Sequence, residues 1–175
     1  MIRSYSLPVF LFLLLPNLIQ PVWAQERIRT VLHDGWVFAQ GAQPEGASPG
    51  LDDQDWTPVH IPHDWAIAGP FDPEGDGSTG KLPWRGEGWC RRALDIPAEA
   101  AGQRLYLHFD GVMAFLKVYV NGRLVGGWDY GHNSFYLDIT DYLSPGGPIC
   151  WRCMPTPAPT TAAGILASAS IGRGS

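Results

Sequence analysis

The sequence predicts an all-β fold, an antiparallel β-sandwich or jelly roll, and three observations carry that reading. Short segments alternate apolar and polar residues, as at Leu105, Leu107 and Phe109 against Tyr106, His108 and Asp110. Strict alternation gives a strand one buried and one wetter face. Aromatic residues make up 12% of a chain that also holds 21 glycines and 16 prolines, the composition of short strands joined by tight turns. No stretch sustains a helical period, so parallel strands joined by helical crossovers are excluded in favour of antiparallel sheets.

The elements follow in chain order. Residues 1–24 are expected to be a signal peptide and not part of the fold. Arg3 gives a basic start, residues 7–15 an apolar core, and Val22-Trp23-Ala24 a cleavage site. That apolar run is too short for a membrane span, which needs about 20 residues. The protein is therefore expected to be secreted or periplasmic, with no membrane partner after cleavage. Strands are predicted at residues 36–39, 59–61, 89–96, 105–109, 117–120, 124–125 and 135–139. Between the two segments around Val120 and Leu124 lies Asn121-Gly122. This pair favours a type I′ turn, because both central residues need positive φ. Single helical turns are expected at residues 98–102 and 140–143. Residues 72–88 form a long loop rich in Gly and Pro, and such loops on rigid sandwiches often carry binding.

Charge and motifs exclude several functions. The net charge of −5 leaves no basic stripe for nucleic acid. Asp72-Pro73-Glu74-Gly75-Asp76-Gly77 resembles the start of a calcium loop, but Pro83 stands where the closing glutamate belongs and no helices flank it. It reads as a solvated turn. His63-Asp64 lacks a nucleophile to complete a triad. Asp52, Asp53, Asp55 and Glu87 are carboxylates of the type glycosidases use, but sequence does not place any two at the required separation. Trp84 and Trp89 have the flat apolar faces that stack on sugars, and equally suit the core.

The tail raises its own question. The three cysteines are Cys90, Cys150 and Cys153. Cys150-Trp151-Arg152-Cys153 looks like a redox dithiol, yet Pro155, Pro157 and Pro159 forbid the helix that would lower a thiol pKa. The pair supplies only two zinc ligands and nothing downstream completes the set. No metal and no cofactor is expected.

At PHDWAIAGPFDP, GEGWCRRALDIP and LYLHFDGVMAFLKVYVNGRLVGGWDYGHNSFYLDITDYLSPGG, the sequence resembles the N-terminal sugar-binding domain of glycoside hydrolase family 2, the β-galactosidase and β-glucuronidase family. The match runs over residues 30–147. FDGV, then VNG, then G-x-SF-x-x-D-[IL]-T together make the signature, and the family fold is a jelly roll. Two departures stand out: Cys90 replaces a common Tyr, and Phe115-Leu116 replaces smaller or polar residues.

The resemblance implies a retaining β-glycosidase in which one glutamate attacks the anomeric carbon and another serves as acid and then base. Both glutamates belong to a barrel domain outside this chain, so no catalytic residue is assigned here. The loop that approaches the substrate in some members corresponds to residues 81–88. Trp84, Arg85 and Glu87 are thus the substrate-binding candidates. The implied partners are a carbohydrate, a β-galactoside or related β-glycoside, and the catalytic barrel.

After Pro148 the family strand and its S-R-W-Y-P-G-x-G-I-Y-R motif are missing. Permitted codons for residues 162–172, read one nucleotide earlier, give S-R-W-Y-P-G-V-G-I-Y-R. The same shift from Pro148 allows N-L-L-A-V-H-A-D. The expected organisation is a signal peptide over 1–24, the sugar-binding domain over 25–148 and an out-of-frame or disordered tail over 149–175. A frameshift near Gly147-Pro148 would leave the jelly roll incomplete at its C-terminal end. The alternatives are a free-standing carbohydrate-binding module and a dithiol or zinc protein.

Overall fold

The computed structural model describes residues 29–75, 77, 81, 86–96, 102–112, 115–131, 133–143, 148–153 and 169–174. Among them, ten strands pair into two antiparallel sheets that enclose one core. The strands are β1 (Arg29–Val31), β2 (Trp36–Gln40), β3 (Thr57–Val59), β4 (Gly88–Ala93), β5 (Arg104–Phe109), β6 (Leu116–Val120), β7 (Arg123–Trp128), β8 (Phe135–Asp138), β9 (Pro148–Cys153) and β10 (Ala169–Gly174). The larger sheet runs β3-β2-β4-β9-β6-β7 and the smaller β1-β10-β5-β8.

Period-two patterning builds the core. Trp36 and Phe38 of β2, Leu105, Leu107 and Phe109 of β5, and Leu116, Val118 and Val120 of β6 are all buried. They join Cys90, Phe135 and Ile139 in one apolar cluster between the sheets. Phe109 stacks on Phe135 with ring centres 4.9 Å apart, and Trp128 stacks on the far side of that pair at 5.2 Å from Phe135. Each such aromatic contact adds about 0.5–1.5 kcal/mol beyond area burial. The one polar atom of Trp36 is satisfied locally, its indole N–H donating to the Leu32 carbonyl at 2.9 Å.

The Asn121-Gly122 hairpin forms as its sequence predicts. Asn121 has φ 51° and Gly122 φ 79°, the double positive φ of a type I′ turn. Asn121 Nδ2 also donates to the Tyr142 carbonyl at 2.6 Å, tying the β6–β7 hairpin to the 3-10 turn Thr140–Tyr142. That turn falls where residues 140–143 predicted one, whereas the turn predicted at 98–102 lies mostly outside the described residues.

Several boundaries differ from expectation. β3 ends at Val59, two positions before the predicted Ile61, which is fully buried ahead of a cis bond to Pro62. The Ile61 amide donates to the His33 carbonyl at 3.0 Å, outside the β2–β3 ladder, so the strand stops short. β4 ends at Ala93, and β7 extends through Trp128 past two glycines. His108, expected on the wetter face of β5, is only 9% exposed because Tyr136 stacks flat on it at 4.1 Å.

The largest addition lies in the tail, where the sequence predicts no strand. β9 pairs with β4 on one side and β6 on the other, with Trp151 opposite both Cys90 and Val118. β10 bridges β1 and β5 in the second sheet. Ladder hydrogen bonds belong to the backbone and do not require a family side-chain pattern. Pro148 occupies the first position of β9, where a missing N–H is tolerated.

A single substitution tests the hairpin. A Cβ on Gly122 would stand 3.0 Å from Pro49 Cδ, at a φ that disfavours any side chain. Gly122→Ala is expected to lower stability by about 1 kcal/mol or more. The midpoint of urea unfolding should fall while its slope stays constant.

Candidate functional site

Of the three predicted substrate-binding residues, Trp84 and Arg85 lie outside the described residues. Glu87 is half-buried at the end of the loop, beside β4. Its carboxylate accepts the Trp89 indole N–H at 2.6 Å, and its carbonyl accepts the Gly41 amide at 2.7 Å. Glu87 therefore orients Trp89 from within the packing. Trp89 itself is 3% exposed, stacked on Tyr119 at 5.8 Å and pressed by Gly46, where a Cβ would come within 2.6 Å of its ring. Of the two stacking readings for Trp89, core packing is the one the structure supports.

The other candidate carboxylates are occupied in different ways. Asp52 Oδ1 accepts the Gln54 amide at 3.2 Å in a local turn. Asp53 pairs with Arg91 at 2.7 Å. Arg91 is a buried cation on the outer face of β4, and it also donates to the carbonyls of Gly46 at 2.6 Å and Ser48 at 2.9 Å. Its guanidinium lies 5.8 Å from the centre of the Trp56 ring. One side chain thus fastens the whole segment from Gly46 to Trp56 across the sheet, and so places Asp55 and Trp56.

Those two residues form one wall of a cavity of about 340 Å³ at the β2–β3 edge, also lined by Phe38, Gln40, His63 and Trp65. Local sequence explains the far wall. Asp64 Oδ1 accepts the Ala66 amide at 2.9 Å, at the start of the 3-10 turn Ala66–Ala68, four residues after Pro62. This Asx turn points His63 and Trp65 at Phe38, with ring centres 4.9 and 5.9 Å away. Gly88 closes the back, since a Cβ there would meet Phe38 Cε2 at 2.9 Å and Trp65 Nε1 at 3.5 Å. The cavity therefore adjoins the end of the predicted substrate loop.

Its electrostatics are unusual for so small a space. His63 Nε2 and Trp65 Nε1 are both shielded from solvent and neither has a hydrogen-bond partner. Burial pushes the His63 pKa below its ordinary 6.5, with the Asp64 carboxylate opposing the shift. With the Asp64 carboxylate turned to the Ala66 amide, His63-Asp64 is a wall and a turn rather than part of a triad.

The remaining motifs resolve simply. Asp72 Oδ1 accepts the Glu74 amide and its carbonyl accepts the Gly75 amide, both at 3.0 Å, while Lys81 Nζ donates to the Pro73 carbonyl. The calcium-like stretch is a turn held by its own backbone, with Asp76 outside the described residues. Cys150 and Cys153 both lie in β9. Three strand positions separate their Cα atoms by about 10 Å, beyond the reach of a disulfide between them. Sequence reasoning identified the loop but not the pocket beside it. The available signal was the aromatic pair flanking Asp64 in PHDW, with an Asx acceptor two residues before a turn.

Two predictions follow from these contacts. Arg91→Met leaves two carbonyls without a donor and Asp53 without its cation, and should cost about 3 kcal/mol. Asp53→Asn should cost about 1 kcal/mol or less, because that side chain is 36% exposed and water screens it. Urea unfolding of both variants checks the order. The second concerns pH. His63 and His108 both have pKa values lowered by burial, so the unfolded chain binds their protons more readily. Stability should hold above about pH 6.5 and decline as pH falls through that value. His63→Gln should flatten part of the decline in melting temperature.

Comparison with known proteins agrees with this architecture. Residues 80–152 match the model for glycosyl hydrolases family 2, sugar binding domain. The β-galactosidase BoGH2A of Bacteroides ovatus is 39% identical over 119 residues, 67% of this chain and 14% of that protein. A β-glucuronidase of Bacteroides fragilis is 32% identical over 82% of this chain and 18% of its own length. Among solved structures, a glycosyl hydrolase family 2 member from Bacteroides cellulosilyticus superposes with a TM-score of 0.75 at 28% identity, over 83% of this chain and 20% of that one. A β-glycosidase from Bacteroides vulgatus gives 0.75 at 29% identity, over 82% and 20%. This chain thus spans between about a seventh and a fifth of the length of these four relatives. It belongs to glycoside hydrolase family 2, as the N-terminal sugar-binding domain.

Proposed function

We propose that the chain is the substrate-side domain of an exported, retaining β-glycosidase, most similar in type to a β-galactosidase. The observation that carries this reading is the 39% identity to a named β-galactosidase across 67% of the chain. Export rests on Arg3, the apolar run and Ala24, and would place the enzyme outside the cytoplasm or in the periplasm.

The domain's part in the reaction is to hold and orient. Hydrolysis with retention needs a nucleophilic carboxylate and an acid–base carboxylate about 5–5.5 Å apart. Asp53 is committed to Arg91 and Glu87 to Trp89, so these carboxylates support packing. The two catalytic glutamates belong to the barrel that the family places beside this domain. With Glu87 turned to Trp89, the proposed substrate contacts of the loop over residues 81–88 reduce to Trp84 and Arg85.

The tail supports the frameshift reading in one respect. β9 and β10 occupy the stretches where the shifted codons give N-L-L-A-V-H-A-D and the end of S-R-W-Y-P-G-V-G-I-Y-R.

The chain alone is expected to leave aryl β-galactosides uncleaved above background. Restoring one base near the Gly147-Pro148 codons should open a long frame into the barrel. Its product should cleave a β-galactoside with retained anomeric configuration, read by proton NMR of the first-formed sugar. A stop codon soon after the motif in that frame would overturn this reading in favour of a free-standing carbohydrate-binding module.

A further inference from the structure

We infer that the exposed apolar run Ile67-Ala68-Gly69-Pro70-Phe71 is the face by which this domain docks on the catalytic barrel of its parent enzyme. The inference rests on the parent enzyme proposed above and adds to it the residues that hold the two domains together.

Three observations converge on this segment. The first is its exposure. Ile67 is 67% exposed and Phe71 63%, and Ala68 and Pro70 between them are exposed as well. A run of five residues with no polar side chain, four of them open to water, is a liability in a domain that stands alone. Val31, Leu124, Tyr130 and Tyr136 are exposed too, but they stand one to a strand or loop, as single surface hydrophobes commonly do.

The second observation is rigidity. The run leaves the sheet from a buried stem, with Trp65 2% and Ala66 0% exposed. Asp64 Oδ1 accepts the Ala66 amide, and the Ala66 carbonyl accepts the Gly69 amide at 3.1 Å. Beyond Phe71, the Asp72 amide donates to the Lys81 carbonyl at 3.0 Å. Both ends are tied, so Ile67 and Phe71 are held out as preformed anchors. A backbone already ordered loses little further entropy when its side chains enter a pocket.

The third is position. Phe71 leads directly into the loop over residues 72–88, whose later residues Trp84 and Arg85 are the proposed substrate contacts. A loop that reaches a substrate held by a neighbouring domain rises from the face turned toward that domain, and this run is its stem.

Size and charge identify the occupant. The four relatives devote about four-fifths or more of their length to parts this chain does not match, so the parent polypeptide itself supplies a partner large enough to cover the run. On its C-terminal side the run is bordered by the exposed acidic residues Asp72 and Glu74, an apolar centre beside a polar rim. The receiving surface of the barrel is therefore an apolar depression with lysine or arginine facing Asp72 and Glu74.

The test compares this chain with the restored-frame enzyme by hydroxyl-radical footprinting. Ile67 and Phe71 should be oxidised readily in this chain and protected in the enzyme. Leu124, on the edge strand at the other end of the larger sheet, should react alike in both. The double variant Ile67→Ser/Phe71→Ser should leave the urea midpoint of this chain unchanged. In the restored enzyme it should shorten the half-life of thermal inactivation about tenfold. Equal oxidation of both residues in an active restored enzyme would overturn the docking face and leave the proposed function intact, as would a double variant as heat-stable as the unsubstituted enzyme. Protection in this chain that grows with its concentration would also overturn the inference, by assigning the run to a second copy. A stop codon soon after the motif would overturn parent enzyme and docking face together, and that outcome is read in the DNA alone.

Discussion

The six-stranded sheet depends on one backbone contact surface: both edges of β9. Its strand order places β3, β2 and β4 on one side of β9 and β6 and β7 on the other. Without β9, two short ribbons would each present an unpaired edge toward the middle of the sandwich. The core residues Phe38 and Cys90 belong to the first ribbon, and Leu116 and Val118 to the second. Their packing over β5 therefore relies on main-chain hydrogen bonds made by residues 148–153. β10 has the same relation to β1 and β5 in the opposite sheet. Two strands without alternation in their sequence thus hold interior positions, one in each sheet.

This arrangement explains why the fold was partly legible in the sequence. Alternation identified β2, β5, β6 and β8, because each faces the core with one set of side chains and water or the covering loop with the other. Asn121-Gly122 identified the hairpin because positive φ at two successive positions restricts residue choice sharply. β9 and β10 left no such trace. Strand pairing is a property of the backbone, and a proline-rich stretch without alternation carries no signal of it. The early end of β3 was missed for a related reason: Ile61 is apolar and buried, as a strand residue would be, but belongs to the turn after it.

The site was legible in a different way. The resemblance pointed to residues 81–88, and the structure brings the end of that loop against an aromatic cavity. Glu87 proved to be a partner of Trp89, and its carboxylate acts on the packing of the sheet. Phe38 and Trp56 were invisible as site residues, because their meeting requires Arg91 to pull a distant segment across β4. A contact between residues 38 positions apart, as in Asp53 and Arg91, has no local periodicity to announce it. His63 and Trp65 were noticed only through a motif, and their burial without partners appears only once Asp64 has turned the chain.

The most direct test of this account is amide hydrogen exchange on the full chain and on its Trp151→Pro variant, which removes one ladder donor from the centre of β9. The account predicts that protection falls together in Gly88–Ala93 and Leu116–Val120, because both strands lean on the same neighbour. Loss confined to residues 148–153, with β4 and β6 as protected as before, would contradict it.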